Sequence, residues 1–317
     1  MAEISTSIEK AASLLANGEV VSIPTETVYG LAANALDTNA VAKIFEVKNR
    51  PAFDPLIVHV HSFDAASAYA DTHSKRLRQL ASALCPGPIT FILPKKPLIP
   101  GLVTSGHETV GIRIPNHPLT LALLKTLPFP LAAPSANPFG FTSPTLAMHV
   151  QEQLGTKIPM ILDGGSSSVG LESTIVEDTP KGVRVLRLGG VSIEQLEDAL
   201  GEKVAAIKTS SSNPKAPGML SSHYNPGVQL VAGNPEELAK MYPGKRIAVM
   251  AFQSPPKFAC ETYRVLSPTG NTTEAASVFF HTLRELGKAD VDLILAEFAP
   301  ETGLGKAIND RLRRASV

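Results

Sequence analysis

The sequence Lys48-Asn49-Arg50-Pro51 leads into the apolar run Pro55-Leu56-Ile57-Val58-His59-Val60. Lysine and arginine are rarely fully buried without a partner, so two cations next to a buried strand predict an element edge that faces an anion. A second polar cluster, Pro134-Ser135-Ala136-Asn137, follows another apolar strand. Together the two clusters predict a phosphate site that is built from strand ends rather than from a glycine-rich loop.

The first 203 residues alternate strand-like and helix-like patterns. Apolar residues at helical spacing predict helices, and short apolar runs that end at proline or glycine predict strands. Several strands follow one another without an intervening helix, which predicts an α/β domain with a twisted mixed sheet. The predicted helices are 8–16, 39–47, 73–84, 118–127, 144–154 and 193–200, and the predicted strands are 20–23, 56–60, 89–93, 110–114, 131–133, 160–162, 174–176 and 183–188, the last two forming a hairpin.

The composition changes at residues 204–228, where a run rich in Ser, Pro and Gly predicts a linker that folds over the site as a lid. A second α/β pattern follows the linker. Its predicted strands are 246–252, 263–266 and 291–298, and its predicted helices are 273–287 and 305–314. This pattern predicts a smaller, Rossmann-like α/β domain over residues 229–317.

The charge balance and the cysteines exclude several classes of protein. The chain has 317 residues with 29 basic and 29 acidic side chains, so no global field attracts nucleic acid or an anionic membrane. Cys85 and Cys260 lie far apart and form no disulfide framework, which favours a reducing compartment. Because the sequence shows neither a signal-peptide pattern nor a long apolar run, we expect a soluble cytoplasmic protein without membrane contact.

Motifs of several common site types are absent from the sequence. There is no Gly-x-x-x-x-Gly-Lys-Ser/Thr loop, no Gly-x-Gly-x-x-Gly after a strand and no His-Glu-x-x-His. His59 and His61 would share one face of a strand, but no third ligand stands nearby. We therefore expect no metal site made by the protein alone, and a contact of His59 with a carboxylate substrate is the more economical interpretation.

The candidate site residues near the first strands allow two interpretations each. Turn and cap chemistry explains the polar side chains of Pro24–Gly30, and so does a polar wall of a small-molecule pocket. Lys48 and Arg50 could pair with surface acids, but two cations at a strand end favour a phosphate clamp. Arg113 lies in a strand with apolar neighbours, so its charge extends either to the surface or into a cleft, and we favour the cleft.

Further polar residues stand at later predicted strand ends. Ser135 and Asn137 can bind phosphate oxygens, and Ser143 can cap the helix predicted to follow it. Helix capping alone explains Ser143 better than it explains Asn137. Ser173 enters a strand after a glycine-rich loop, and Arg187 places another cation at a strand end.

The order of these motifs resembles that of a known family, the YrdC/Sua5 threonylcarbamoyl-AMP synthases. Each motif alone is weak, but the series covers nearly the whole chain. The linker motif His223-Tyr224-Asn225-Pro226 and the C-terminal α/β unit look like the longer Sua5 type. The nine motifs are Pro24–Gly30, Lys48–Pro51, Pro55–His59, Pro86-Gly87-Pro88, Gly111–Pro115, Pro134–Asn137, Ser143-Pro144-Thr145, Glu172–Val176 and Leu186–Gly189.

The resemblance implies an enzyme that condenses L-threonine, bicarbonate and ATP into threonylcarbamoyl-AMP and pyrophosphate. The product would pass to a downstream tRNA threonylcarbamoyl transferase complex, which builds threonylcarbamoyladenosine in tRNA. Such chemistry calls for a closed, cation-lined cavity more than for a covalent nucleophile. Mg²⁺, held mainly by phosphates and water, would neutralise the leaving pyrophosphate.

The same resemblance assigns twelve residues to two groups. The group expected to bind L-threonine consists of Thr27, His59, Arg113 and Ser173, with Arg113 as the partner of the carboxylate. The group expected to bind ATP consists of Lys48, Arg50, Asp54, Ser135, Asn137, Ser143, Arg187 and Tyr224. Lys48 and Arg50 are also the expected catalytic residues.

Two positions depart from the family pattern, and two other interpretations stay open. Asp54 stands where many members have asparagine, and Phe139 stands where serine is usual. The first alternative is another carbamoyl-adenylate-forming enzyme, which would normally bring zinc-finger cysteines that this chain lacks. The second is an RNA-binding module with weak tRNA contact, which the neutral net charge disfavours.

Overall fold

The computed structural model of the chain describes residues 1–206 and 223–316. We call these ranges the N-terminal part and the C-terminal part. Most of the predicted linker, residues 207–222, lies outside the described residues, so the boundaries at residues 203 and 229 stay predictions. The strands of the N-terminal part are β1 (Glu3–Ser5), β2 (Val21–Ile23), β3 (Gly30–Asn34), β4 (Ile57–His59), β5 (Ile89–Pro94), β6 (Thr109–Arg113), β7 (Leu131–Ala132), β8 (Met160–Leu162), β9 (Thr174–Thr179), β10 (Gly182–Arg187) and β11 (Ala205–Ala206).

The helices of the N-terminal part cover the faces of its sheet. Their apolar sides supply much of the core, as the burial of Leu15, Ile44 and Leu80 shows. The helices are α1 (Ile8–Ala16), α2 (Thr38–Lys48), α3 (Phe63–Ala66), α4 (Lys75–Leu84), α5 (Gly101–Thr104), α6 (Pro118–Thr126), α7 (Ala147–Leu154) and α8 (Ile193–Leu200).

The N-terminal part forms one mixed sheet in the order β1-β8-β2-β3-β7-β4-β6-β5-β9-β10-β11. The register of its strands places residues of the candidate site side by side. His59 of β4 pairs with Arg113 of the parallel strand β6, and Arg113 pairs with Thr90 of the antiparallel strand β5. The parallel strand β9 then starts beside β5, with Thr174 opposite Ile89. The ends of four strands therefore meet at one edge.

Local sequence explains why two cations emerge together at this edge. The Asp37 side chain accepts hydrogen bonds from the Asn39 and Ala40 N–H groups and caps the start of α2. The helix ends at Asn49, whose φ of 51° lies in the left-handed region that asparagine tolerates. Lys48 is thus the last helical residue, and Arg50 is the first residue after the turn.

The C-terminal part is a parallel α/β unit with helices on both faces of its sheet. The strands lie in the order β12-β15-β13-β14, and every pairing is parallel. The apolar side chains of α10 and α11 pack on one face, and Leu238 and Ala239 of α9 pack on the other. The elements are β12 (Leu230–Ala232), α9 (Pro235–Ala239), β13 (Ile247–Ala251), β14 (Thr262–Val265), α10 (Thr272–Gly287), β15 (Leu293–Ala296) and α11 (Gly305–Ala315).

The two parts pack against each other through a shared apolar cluster. Val28 and Leu171 of the N-terminal part lie in one buried cluster with Tyr224 and with residues of α10 and α11, including Phe280 and Leu312. The prediction of an α/β fold with a large mixed sheet and a smaller α/β unit is confirmed. Among the described residues, no helix is both long and apolar enough to cross a membrane.

One predicted helix start is wrong, and it removes a predicted cap. We expected a helix from residue 144 with Ser143 as its cap, but α7 begins at Ala147. Leu146 occupies the N-cap position in an extended conformation and makes no side-chain cap bond. Ser143 lies before the N-cap position, too early in the chain to cap this helix, and it instead donates its hydroxyl to the buried Glu172 Oε1 at 2.7 Å.

Candidate active site

The structure gathers most of the predicted site residues around one cleft at the strand-end edge of the large sheet. Three predicted residues, Lys48, Asn137 and Ser143, lie behind the wall of the cleft rather than in it. The predicted residues that line the cleft are Thr27, Arg50, Asp54, His59, Arg113, Ser135, Ser173, Arg187 and Tyr224. Chain segments that are distant in sequence therefore converge on a single concave site.

Lys48 braces the loop that contains Ser135 and Asn137. Its side chain is buried, and Nζ donates to the carbonyl oxygens of both residues, at 2.5 Å to Ser135. Burial lowers the pKa of Lys48 well below its usual value, Arg50 lowers it further, and Asp54 opposes the shift. The cation is thus fixed against the backbone of the loop, directly behind the cleft.

Arg50 and Asp54 form a buried ion pair within one loop. Arg50 Nη2 lies 2.8 Å from Asp54 Oδ2, and the guanidinium also donates to the carbonyl oxygens of Asp54 at 3.0 Å and Pro55 at 2.9 Å. Burial raises the pKa of Asp54, and Arg50 opposes the shift. Asp54 Oδ1 is buried and has no hydrogen-bond partner among the described residues.

The opposite wall holds a second buried ion pair beside a neutral histidine. Arg113 Nη2 approaches Glu26 Oε1 to 2.8 Å, but the contact lacks the alignment of a hydrogen bond. His59 lies next to Arg113 with Nδ1 3.3 Å from the Ile57 carbonyl oxygen. Burial, together with Arg113, lowers the pKa of His59 to about 3. The imidazole is therefore neutral at physiological pH.

Ser173 joins this wall to Arg187. Its hydroxyl lies 2.7 Å from the Thr90 hydroxyl, and Arg187 Nη2 donates to the same oxygen at 3.1 Å. Arg187 also donates to the Ser173 carbonyl oxygen from Nε and Nη2. Burial lowers the pKa of Arg187 to about 10, so the group stays charged at neutral pH.

Behind the cleft-lining Tyr224, one buried arginine of the C-terminal part contacts the wall of the cleft. Arg311 of α11 is fully buried and donates from Nε and Nη2 to Glu172 Oε2, at 3.2 and 3.1 Å. Its guanidinium also lies over the Tyr224 ring, 5.7 Å from the centroid. Burial alone would raise the pKa of Glu172, but Arg311, Arg187 and the Ser143 hydroxyl hold it at about 2. Glu172 is thus a charged residue of the cleft wall.

Four residues of this arrangement were missing from the predicted site. Glu26, Glu172 and His223 belong to motifs that carried the family resemblance, so a search for partners of the predicted cations could have found the two acids. Arg311 had no such signal, because a basic residue on an amphipathic helix normally faces solvent. Only the packing of the two parts shows that it points inward.

The carboxylates of the site give limited support for a metal ion. Among residues 1–206 and 223–316, no group of three or more His, Cys, Asp or Glu side chains could hold a metal. The unpartnered Oδ1 of Asp54 is the one carboxylate oxygen of the cleft-lining residues that is both buried and without a hydrogen bond among the described residues. The arrangement fits a cation that takes most of its ligands from a substrate and water.

Two family models cover nearly the whole chain. The Sua5–YciO–YrdC model, described as telomere recombination, matches residues 13–189. A model described as the C-terminal domain of threonylcarbamoyl-AMP synthase matches residues 191–317. The two matches follow each other directly along the sequence.

Similar proteins of known sequence and structure match along the full length. The threonylcarbamoyl-AMP synthase of Pyrococcus abyssi is 40% identical over 98% of this chain and 94% of its own length. That of Bacillus subtilis is 38% identical over 99% and 95%. The crystal structure of P. abyssi Sua5 complexed with L-threonine superposes with a TM-score of 0.91 at 37% identity, covering 100% of this chain and 97% of that one.

Proposed function

The chain belongs to the Sua5 family of threonylcarbamoyl-AMP synthases, and we propose that it condenses L-threonine, bicarbonate and ATP into threonylcarbamoyl-AMP, pyrophosphate and water. The observation that carries this proposal is the composition of the cleft. The cleft is lined by the guanidinium groups of Arg50 and Arg187, which we assign to a phosphate wall, and by hydroxyls, a neutral imidazole and Arg113, which we assign to a second wall. The first wall suits phosphates, and the second suits an amino acid.

The proposed ATP site is the wall formed by the loop of residues 135–143 and by the end of α2. Arg50 and Arg187 would contact phosphate oxygens directly, since guanidinium groups bind them in a bidentate manner. Lys48 would act from behind the loop, where its ammonium holds two backbone carbonyls in place. Ser135 lines the cleft itself, whereas Asn137 and Ser143 would shape the loop, and Tyr224 would close the site from the C-terminal part.

The proposed threonine site is the wall formed by Thr27, His59, Arg113 and Ser173. Arg113 would bind the carboxylate, and the hydroxyls of Thr27 and Ser173 can bond polar groups of the amino acid. The neutral His59 adds no positive charge near the amine. The absence of this charge favours the uncharged form of the threonine amine, which must attack bicarbonate. The likeness to P. abyssi Sua5 complexed with L-threonine supports the assignment.

Mg²⁺ would be held mainly by the ATP phosphates and water, with Asp54 as the nearest carboxylate. A bound magnesium ion would supply positive charge that stabilises the leaving pyrophosphate. We further propose that the adenylate passes, in the cytoplasm, to a separate transferase complex that modifies tRNA, as the family reaction implies. Weak contact with tRNA belongs to the same proposal.

The test is a pyrophosphate-release assay with ATP, bicarbonate and L-threonine, with the adenylate identified by mass spectrometry. We expect release to require all three substrates, and release without threonine would overturn the proposal.

Arg113→Met should raise KM for threonine by about tenfold to a hundredfold, because a charge-assisted hydrogen bond is lost. Lys48→Ala tests the contact of Lys48 with the loop behind the cleft, and Lys43→Ala on the same helix is its matched control. The Lys43 side chain is 39% exposed and pairs with Glu19. The control should keep full activity.

A further inference from the structure

Five aromatic rings form a continuous chain from the ATP-side loop to the C-terminal part. The Phe139 ring meets the His223 ring edge-on, with centroids 5.8 Å apart and planes at 89°. His223 contacts Tyr224 at 4.3 Å, and Tyr224 contacts Phe280 at 5.3 Å. Phe279 follows at 5.2 Å from Phe280. Among these five rings, Phe139 is thus the one that belongs to the N-terminal part.

Backbone hydrogen bonds fix both sides of the contact between Phe139 and His223. The Phe139 N–H donates to the Lys48 carbonyl oxygen at 2.8 Å, so the ring is tied to the segment that carries the two cations. On the other side, the Asn225 N–H donates to the Gly140 carbonyl oxygen at 2.8 Å. Tyr224 has a φ of 72°, a conformation that is costly for a residue with a side chain. Such a conformation persists only where its surroundings hold it.

His223 occupies an environment that a structural ring alone does not explain. It lines the cleft, yet its Nδ1 is buried and has no hydrogen-bond partner among the described residues. Burial lowers its pKa to about 3, with Glu172 opposing the shift and Lys48, Arg50 and Arg311 adding to it. An unpartnered polar atom in the wall of a cleft indicates a ligand contact.

We propose that Phe139 is a positioning residue, which holds the His223 ring in the wall of the cleft so that Nδ1 can contact the bound nucleotide. The edge of the Phe139 ring keeps water from the imidazole, and the hydrogen bond to the Lys48 carbonyl places that ring relative to the ATP loop. A ring displaced from this position would leave the imidazole hydrated. The nucleotide contact rests on the proposed function, whereas the packing of Phe139 on His223 does not.

The chain offers a matched control two residues further along. Phe141 lies in the same loop, but its side chain is 43% exposed and makes no ring contact among the described residues. Phe139→Ser, Phe139→Tyr and Phe141→Ser therefore separate the loss of the contact from the loss of any aromatic residue in the loop. Phe139 is only half-buried, so its variants should fold, and circular dichroism checks this.

The first measurement is the titration of the His223 imidazole by NMR, with the signal assigned from a His223→Gln variant. In Phe139→Ser we expect the pKa of His223 to rise from about 3 towards the ordinary value of 6.5. Phe139→Tyr and Phe141→Ser should titrate like the unaltered protein. An unchanged titration in Phe139→Ser would overturn the proposal.

The second measurement is the split between KM for ATP and kcat in the pyrophosphate assay. Loss of an edge-to-face aromatic pair should raise KM for ATP about threefold to tenfold in Phe139→Ser, with kcat little changed and with rescue in Phe139→Tyr. An equal effect in Phe141→Ser would contradict the assigned role. If the titration shifts but the unaltered protein forms no adenylate, the packing role stands and the proposed function fails.

Discussion

Two of the buried ion pairs at the cleft, Arg50–Asp54 and Glu172–Arg311, are held together in different ways. Arg50 and Asp54 are four residues apart in one loop, so the N-terminal part makes this pair without help. Glu172 and Arg311 are 139 residues apart and join the two parts of the protein. The first pair is therefore complete in the N-terminal part, whereas the second forms only when the C-terminal part is docked.

The two carboxylates also differ in their electrostatics. Burial raises the pKa of Asp54, and Arg50 does not fully offset the effect. Arg311, with Arg187 and Ser143, more than offsets the burial of Glu172 and holds its pKa at about 2. Glu172 is thus the more strongly stabilised anion, and it depends on a residue from the other part. Loss of that residue should do the greater damage.

The largest expected effect is that of Arg311→Met. The substitution removes the charge but keeps much of the apolar stem, so it leaves Glu172 as a buried anion that has lost its main partner. We expect the free energy of unfolding to fall by about 3–5 kcal/mol, the usual cost of breaking a buried pair on one side. Urea unfolding followed by circular dichroism measures the loss, and the pyrophosphate assay should show a matching loss of activity.

The double variant Glu172→Gln with Arg311→Met provides the control. It removes both charges together, so no unpaired charge stays buried and much of the lost stability should return. A double variant that is as unstable as Arg311→Met alone would show that packing of the arginine, rather than its charge, holds the parts together.

Asp54→Asn should cost less, about 2 kcal/mol, the range for a hydrogen bond to a charged group. Arg50 keeps two backbone carbonyl acceptors that do not depend on the Asp54 side chain. The replacement is nearly isosteric, and its effect should fall mainly on KM for ATP. If urea unfolding shows a loss as large as that of Arg311→Met, the contrast between the local and the interdomain pair is wrong.

The same contrast explains how much of the molecule the sequence could reveal. Local signals predicted most helices, the hairpin of β9 and β10, and the cations at the end of α2, because caps, turns and apolar periods act within a few residues. The short strands β1, β3, β11 and β12 were missed. β3 reads Gly-Leu-Ala-Ala-Asn, which lacks the β-branched residues that mark strands, and only its neighbours in the sheet make it one.

The site was predictable where its residues lie in motifs and hidden where contacts are long-range. Arg50 and Arg113 stand at predicted strand ends, so their convergence follows from strand register. Lys48 was expected to face an anion, yet it binds the carbonyls of the loop, an alternative that the sequence pattern cannot distinguish. The role of Arg311 depends on how two domains dock, which no local pattern encodes.

A pH experiment separates the histidines from the Glu172–Arg311 pair. Burial lowers the pKa of His59 and of His223 to about 3 and that of His149 to about 4 in the folded state, against about 6.5 when unfolded. The unfolded state therefore binds more protons below pH 6.5, so stability is full above this pH and falls as the pH drops. From pH 7 to pH 6 we expect these three histidines together to cost about 2 kcal/mol in urea unfolding. Glu172 stays charged in this window.

Two variants check this assignment. His223→Gln should lose less stability between pH 7 and pH 6 than the unaltered protein, because one depressed histidine is gone. The double variant Glu172→Gln with Arg311→Met should show the same pH slope as the unaltered protein, since Glu172 stays charged throughout the window while Arg311 is present. A shallower slope in this double variant would mean that the Glu172–Arg311 pair, and not the histidines alone, responds to pH.

The smallest effect should come from Lys288→Ala. This variant tests whether the contribution of an ion pair to stability depends on its burial or on its joining the two parts. Lys288, the residue that follows α10, pairs with Glu152 of α7 at 2.7 Å and so spans the same interface as Glu172 and Arg311. Its side chain is 61% exposed and that of Glu152 is 40% exposed, so water screens the pair. We expect a loss below about 1 kcal/mol in urea unfolding and unchanged pyrophosphate release. A loss close to that of Arg311→Met would show that any charge contact across the interface is critical. It would contradict the larger effect that we predict for the buried arginine.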